Sequence, residues 1–475
     1  MNERRKRSGP PGGPAGPRPP AQRRRPGAPA GAPTGAPTGG PRAAVAGTSV
    51  AGGSVVVALD GMAHGGEGVG RADDGRATFV AGGLPGEATE VVVTEARPRF
   101  QRGYAAGTIG AASPERVAAT CQHFGTWPAR GAAPGAWCGG CQWQHVAYEA
   151  QLGHKRSILR DALERIGGVG APVVAATIGM PTPWGYRNKL RTRLVGGRPG
   201  LVAVDGRTLV RISACPIAVP ALLAHVAAFE ADLPDGTEVT FRIGERTGDA
   251  LIVIDDREGV VGEIEVESEA SIVIIGPEGE ASIAAGRSFY VERLGGEAIG
   301  VPATAFFQVN TGMAERLAEV VQAALGPGSG RVVDAYCGIG TLTGAIAAVC
   351  DSVVAVDIDA SAVAAAVANT GGLANVTLIE GDVAEALEEI GPGIDALVVD
   401  PPRGGLDAAA GAVVARMLPA RIVYVSCEPT TLARDVRALG AIGYAHRSTQ
   451  PLDMFPQTYH SESVTVLERD ASGLA

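Results

Sequence analysis

Three groups of side chains in this 475-residue sequence have the types and spacing to do chemistry. The first lies near the C-terminal end, where Cys427 follows an apolar, strand-like run in RIVYVSCEPTTLARD and Pro429 comes two residues later. Asp400 closes a similar run, ALVVD, and Pro401, Pro402 and Arg403 follow it. Prolines placed after a strand stop ladder pairing and stiffen a loop at the carboxyl edge of the sheet, where ligands bind in open α/β folds. Asp400 and Cys427 are therefore expected to face one crevice. A thiol in that place is a candidate nucleophile, reactive as its thiolate. The stretch DMFPQTYHSESV adds His460 and Glu462 as rival proton acceptors, with Glu462 preferred because a histidine near a carboxylate is often only its orienter. An inert structural thiol is the plain alternative, and it suits Cys350 on its apolar helical run.

The second group is a candidate cofactor site. In RVVDAYCGIGTLTGAIA an apolar strand ends at Asp334, a turn carries Gly338 and Gly340, and a helix follows. Such glycines let the backbone turn tightly against a ligand, and the helix start offers N–H groups and a positive dipole end. Asp357 in VVAVDID stands where a carboxylate can hold ribose hydroxyls, and Asp382 in EGD is a plausible partner for an adenine edge. This arrangement serves NAD, FAD and S-adenosylmethionine enzymes alike. Two prolines after the acid in DPPR tilt it toward methyl transfer.

The third group is Cys121, Cys138 and Cys141, joined by Cys215 in RISACPI. Four thiolates can hold tetrahedral zinc or a 4Fe–4S cluster, and the spacing does not choose between them. Cys121 and Cys138 are separated by a long Pro/Ala/Gly-rich segment, which can still close because loop entropy grows slowly with length.

Positioning these groups requires several elements. Short β runs at Ser54–Leu59, Ala77–Val80 and Glu90–Thr94, parted by Gly-rich turns, predict a small OB-like β-barrel. Tyr148–Ile166 has helical spacing, with Leu152, Leu159, Leu163 and Ile166 on one stripe. Strand-like runs follow at Arg191–Leu194, Glu238–Ile243, Ala250–Ile254 and Ser271–Ile275. From about residue 303, strands at Arg331–Ala335, Ser352–Val356, Val376–Glu380, Ala396–Val399 and Arg421–Val425 alternate with helical segments, the signature of a doubly wound sheet.

The motifs DPPR, SC.P.TLARD and MFP.T.H.E, together with DAYCGIGT, VVAVDID, EGD and C…CGGC.WQH, resemble the S-adenosylmethionine-dependent RNA uridine-C5 methyltransferases. GMAHGGEGVGR…ATFVAGGLPGE is similar to the TRAM domain, an RNA-binding barrel. The resemblance implies an α/β protein in three parts: the TRAM barrel at 47–111, a central α+β domain at 112–302 and a C-terminal Rossmann-like class I methyltransferase at 303–475. It implies that Gln308, Tyr336, Thr341, Asp357, Asp382 and Asp400 contact the cofactor or the base. Cys427 becomes the nucleophile that adds to C6 of uracil, Asp400 the group that binds the ring, and Glu462 the acceptor of the C5 proton. Cys121, Cys138, Cys141 and Cys215 would hold a 4Fe–4S cluster. The expected substrate is 23S ribosomal RNA, with transfer RNA the alternative; an inactive RNA-binding relative is the rival of another class.

Composition bounds the rest. An apolar fraction of 45% supports well-buried cores, and no apolar run reaches the length of a membrane span. A cytoplasmic, monomeric protein is expected. Residues 1–46 are rich in Pro, Gly, Ala and Arg and are read as a disordered basic tail carrying about +8 of charge, against a net −9 for the whole chain. Global charge does not exclude RNA, because phosphate contacts need only a local basic surface.

Overall fold

Gly-rich turns and alternating apolar residues close the first β segment on itself. The computed structural model describes residues 53–125, 137–212, 214–259 and 269–470; the basic tail and most of the segment between Cys121 and Cys138 lie outside them. β1 (Ser54–Met62), β2 (Gly68–Arg71), β3 (Ala77–Ala81), β4 (Ala88–Ala96) and β5 (Phe100–Ile109) form a closed barrel in the order β1-β2-β3-β5-β4. Val57, Leu59, Val80 and Val91 fill it. The barrel is tied to the segment after β5 by Glu87, whose buried carboxylate accepts from the backbone N–H of Leu84 and Ser113 and from both arms of Arg116. Burial opposes ionisation there, but these donors outweigh it and hold the group below the usual glutamate range. Glu87→Ala is expected to cost about 2–4 kcal/mol in urea unfolding, because it strands two buried N–H groups and an arginine.

α1 (Tyr148–Arg165) precedes the central sheet. Leu159 and Leu163 of its stripe are fully buried, whereas Ile166, just past the helix, is 39% exposed. The central sheet uses β6 (Lys189–Val195), β7 (Arg198–Val202), β8 (Leu209–Arg211), β9 (Glu238–Ile243), β10 (Ala250–Asp255), β11 (Ser271–Ile275) and β12 (Ala281–Ala285), in the order β12-β11-β10-β9-β6-β7-β8. α2 (Pro220–Ala228) covers one face with Leu222 and Val226. Against the other face sits a hairpin, β13 (Phe289–Leu294) with β14 (Glu297–Pro302), whose Tyr290 and Val301 pack on Leu251, Val253 and Val273.

The C-terminal sheet is doubly wound. α3 (Thr311–Leu325) leads into β15 (Arg331–Ala335), α4 (Thr343–Ala347), β16 (Ser352–Asp357), α5 (Ala360–Asn369), β17 (Val376–Glu380), α6 (Val383–Ile390), β18 (Ala396–Val399), α7 (Ala408–Met417), β19 (Arg421–Ser426), α8 (Pro429–Gly440), β20 (Tyr444–Leu452) and β21 (Glu462–Arg469). Strand order is β17-β16-β15-β18-β19-β21-β20; the first five are parallel and β21 runs antiparallel between β19 and β20. α3 and α4 pack on one face, and α6, α7 and α8 cover the other. α1, from far upstream, joins that second face through Leu159 and Leu163. The order reverses between β15 and β18, the switch point where doubly wound sheets open a crevice. Among the described residues no helix is long and apolar enough to cross a membrane.

Candidate active site

The switch point holds a pocket of about 430 Å³ lined by Gln308, Asp334, Tyr336, Thr341 and Asp400, among others. Its floor is the turn after β15. Tyr336 adopts a left-handed φ of 65°, an uncommon conformation for a residue with a side chain, and Gly338 follows at φ 55°. A Cβ added at Gly338 would meet no protein atom within 4 Å, so the pocket keeps clear the space a ligand needs. Asp357 braces this turn from the next strand: its Oδ2 accepts from the Gly338 N–H at 2.8 Å. Asp334 is buried, takes the Thr343 hydroxyl at 2.6 Å and is pushed up to about 7 by burial and by the nearby Asp400 and Asp357 carboxylates. This acidic, glycine-floored cradle fits S-adenosylmethionine, whose sulfonium and ammonium are positive. Asp382 does not line the pocket. It caps α6, its Oδ1 accepting from Ala384 and Glu385 N–H.

One strand over, β19 ends at Ser426, which pairs with Ser463 at the start of β21. That register puts Cys427 beside Glu462, and the Ser463 hydroxyl donates to the Ser426 carbonyl at 3.2 Å. Burial pushes the Cys427 thiol up to about 11; the Glu462 and Asp400 carboxylates push the same way, and the Arg403 guanidinium opposes them. Asp400 is raised to about 7 by burial. Burial, then the Asp400 charge, drives Glu462 well above the usual glutamate range. Its Oε1 is enclosed without a hydrogen-bond partner. His460 goes the other way: burial and the Arg403 charge lower it to about 4, which makes it a weak base. The structure thus gathers Asp400, Cys427 and Glu462 at one rim, next to the pocket.

Several further residues hold this site in place in roles that the sequence did not assign to them. Asp435 on α8 accepts from the Tyr424 hydroxyl at 2.7 Å and the Leu406 N–H at 2.9 Å, and its neighbour Arg434 donates to the Gly404 carbonyl at 2.7 Å. Together they moor the loop after Pro402. His64, on the barrel's β1–β2 turn, pairs with Glu428 at 2.9 Å, immediately after Cys427. Lys155 on α1 is buried in an ion pair with Asp453 and also donates to the Phe455 carbonyl.

Cys121, Cys138, Cys141 and Cys215 line a second cavity, about 900 Å³, with Arg187, Arg191 and no carboxylate. Burial raises Cys138 to about 11 and Cys141 to about 12, and it raises Cys215 as well. Among the described residues no group of three or more His, Cys, Asp or Glu is arranged to hold a metal ion. Cys337 is buried beside the cofactor pocket, and Cys350 packs on the core under α4.

A doubly wound sheet with an acidic cradle at its switch point, preceded by a closed barrel, is the architecture of a nucleotide-cofactor enzyme with an accessory β module. Residues 299–470 match the family model described as tRNA (Uracil-5-)-methyltransferase, and residues 54–106 match the TRAM domain. An RNA methyltransferase of Thermosynechococcus vestitus is 33% identical over 456 residues, covering 88% of this chain and 98% of its own. Another, from Gloeobacter violaceus, is 34% identical over 467 residues, covering 89% and 98%. Among solved structures, the Pyrococcus abyssi tRNA (uracil-54, C5)-methyltransferase bound to S-adenosyl-L-homocysteine superposes with a TM-score of 0.66 at 23% identity, covering 87% of this chain and 99% of that one; at this identity it speaks to the fold alone. The chain belongs to the tRNA (uracil-5-)-methyltransferase family and is an S-adenosylmethionine-dependent RNA methyltransferase.

Proposed function

We propose that the enzyme methylates C5 of a uridine in RNA, with 23S ribosomal RNA the favoured substrate and transfer RNA the alternative. The observation that supports this reading is the pairing of Ser426 with Ser463, a register that makes Cys427 and Glu462 neighbours. Uracil C5 is too weak a nucleophile to attack a methyl donor unaided. The Cys427 thiolate adds to C6, and the electron pair released toward C5 and O4 makes C5 nucleophilic. Asp400 holds the ring, and Arg403 stabilises the developing enolate oxygen. S-adenosylmethionine, held by Gln308, Tyr336 and Thr341 of the pocket with Asp357 bracing its floor, supplies an electrophilic methyl group when bound. Glu462 then takes the C5 proton, the C5=C6 bond re-forms and the C6–S bond breaks, returning the thiolate. Nucleoside mass spectrometry of ribosomal and transfer RNA from a deletion strain tests the reading. Loss of 5-methyluridine from one of them names the substrate, and unchanged levels in both refute it.

The chemistry has a pH signature. A thiol raised to about 11 is mostly protonated at neutral pH, and deprotonation supplies the reactive form. Single-turnover adduct formation should therefore rise by about tenfold per pH unit between about pH 7 and about pH 10. A flat profile over that interval would show that another group activates the sulfur.

The four cysteines are assigned to a 4Fe–4S cluster. Soft thiol donors converge on one cavity, carboxylates are absent from its lining, and Arg187 and Arg191 offset the charge of the thiolates. Arg187 opposes the burial that raises Cys138 and Cys215. Anaerobically purified protein is expected to be brown, with about four irons per chain; zinc in place of iron would overturn the assignment.

A further inference from the structure

The loop that delivers Glu462 contains a residue in a conformation it would not choose alone. Gln457 sits at φ 70°, left-handed backbone that side-chain-bearing residues keep only where their surroundings dictate it. Every polar group the dictation needs comes from one distant segment. The Gln457 carbonyl accepts from the N–H of Gln142 at 3.1 Å and of Trp143 at 3.0 Å. Its N–H donates to Oε1 of Gln151 at 3.0 Å, and its side-chain oxygen lies 3.1 Å from Nε2 of Gln151. Gln151 is itself fixed, because the same Nε2 reaches the carbonyls of Trp143 at 3.1 Å and Val146 at 2.9 Å. It is completely buried, 306 residues away along the chain.

The group this clamp controls is five residues further on. Thr458 donates its N–H and hydroxyl back to the Phe455 carbonyl, and the His460 N–H donates to the Thr458 hydroxyl oxygen, so the turn transmits the placement of Gln457. Glu462 has no hydrogen-bond partner at its enclosed Oε1 to aim it. The carboxylate takes a backbone N–H, that of the adjacent Ser463, so its direction depends on the backbone that carries it.

We propose that Gln151 is a positioning residue for proton removal, acting through the left-handed Gln457 to aim the Glu462 carboxylate. The inference rests on the function proposed above. Gln142 and Trp143 directly follow Cys141, so the order of the cysteine segment feeds the same clamp. Gln151 touches neither the sulfur nor the cofactor pocket, so its loss should spare C6 addition and methyl transfer. It should slow only the last step, in which Glu462 takes the C5 proton, the C5=C6 bond re-forms and the thiolate leaves.

The test uses Gln151→Met, which keeps the buried volume and loses the hydrogen bonds, on undermodified ribosomal and transfer RNA from a deletion strain. Single-turnover formation of the methylated adduct should stay within about twofold of the parent, while product release slows by about 10²-fold, the scale of a catalytic group misplaced by about an ångström. A denaturation-resistant enzyme–RNA species should then accumulate on ordinary uridine. Gln457→Gly in the Gln151→Met background should restore much of the release rate, because glycine takes the left-handed conformation without help. Gln457→Ala, which leaves α1 untouched, should show the same split and serves if Gln151→Met does not fold. Parallel loss of addition and release in these variants, unslowed release, or no rescue by glycine overturns the proposal. If the parent itself forms no adduct with 5-fluorouridine transcripts, the underlying mechanism falls instead.

Discussion

Cys427→Ala is expected to abolish methyl transfer, lowering turnover by at least about 10³-fold, and to leave no covalent species with 5-fluorouridine RNA. The size follows from the substrate. Without addition at C6, C5 has no electron pair to offer, and the cofactor-binding pocket alone cannot compensate. S-adenosylmethionine binding should persist, because that pocket is built from β15, β16 and the loop before α3. Calorimetric titration of cofactor against the variant therefore separates a lost nucleophile from a lost fold. Substantial methylation by the alanine variant would remove the covalent route entirely.

Glu462→Gln should produce the complementary result, with turnover falling by about 10²- to 10⁴-fold while adduct formation survives. The carboxylate is buried and raised, first by burial and then by Asp400, so it is a stronger base than an exposed glutamate. Glutamine is nearly isosteric and relieves that burial cost, so the variant should fold at least as well. It cannot accept the C5 proton, so methylated RNA should remain bound to Cys427 through denaturing electrophoresis. Removing Glu462 also withdraws a carboxylate that raises the thiol, and addition should be no slower than in the parent. If release proceeds normally, His460 or solvent is the base. The lowering of His460 to about 4 argues against the first of these.

The parallel strands were the most legible part of the fold. Arg331–Ala335, Val376–Glu380 and Ala396–Val399 coincide with β15, β17 and β18: apolar runs mark the buried β15 and β18, and β-branched residues mark β17 although it is an edge strand with no buried residue. The barrel was only partly readable. β2 and β5 contain glycines where neighbouring chains press close: a Cβ on Gly70 would lie 2.0 Å from the Ala58 carbonyl oxygen, and one on Gly103 would lie 2.3 Å from that of Val92. Packing demanded glycine there, and glycine reads as a turn. At the site, Cys427, Asp400 and Glu462 stood out because each follows or begins a strand beside a proline- or turn-rich motif. Gln151 and Lys155 are polar positions of α1, and nothing in its helical spacing marks them as buried. Both are buried because their partners, Gln457 and Asp453, lie about three hundred residues downstream. Asp382 shows the converse: a position that reads as a ligand contact also caps its own helix, a role its sequence context did not announce.

The strand inserted between β19 and β20 comes after both of them in the sequence. Until the ribosome has released residues 462–469, β19 and β20 lack the strand that joins them, and the carboxylate proposed to take the C5 proton is not in place beside Cys427. Under the proposed mechanism a nascent chain would be catalytically silent until that stretch emerges. A nonsense codon anywhere before Glu462 would yield a product missing both its proton acceptor and the seam of its C-terminal sheet.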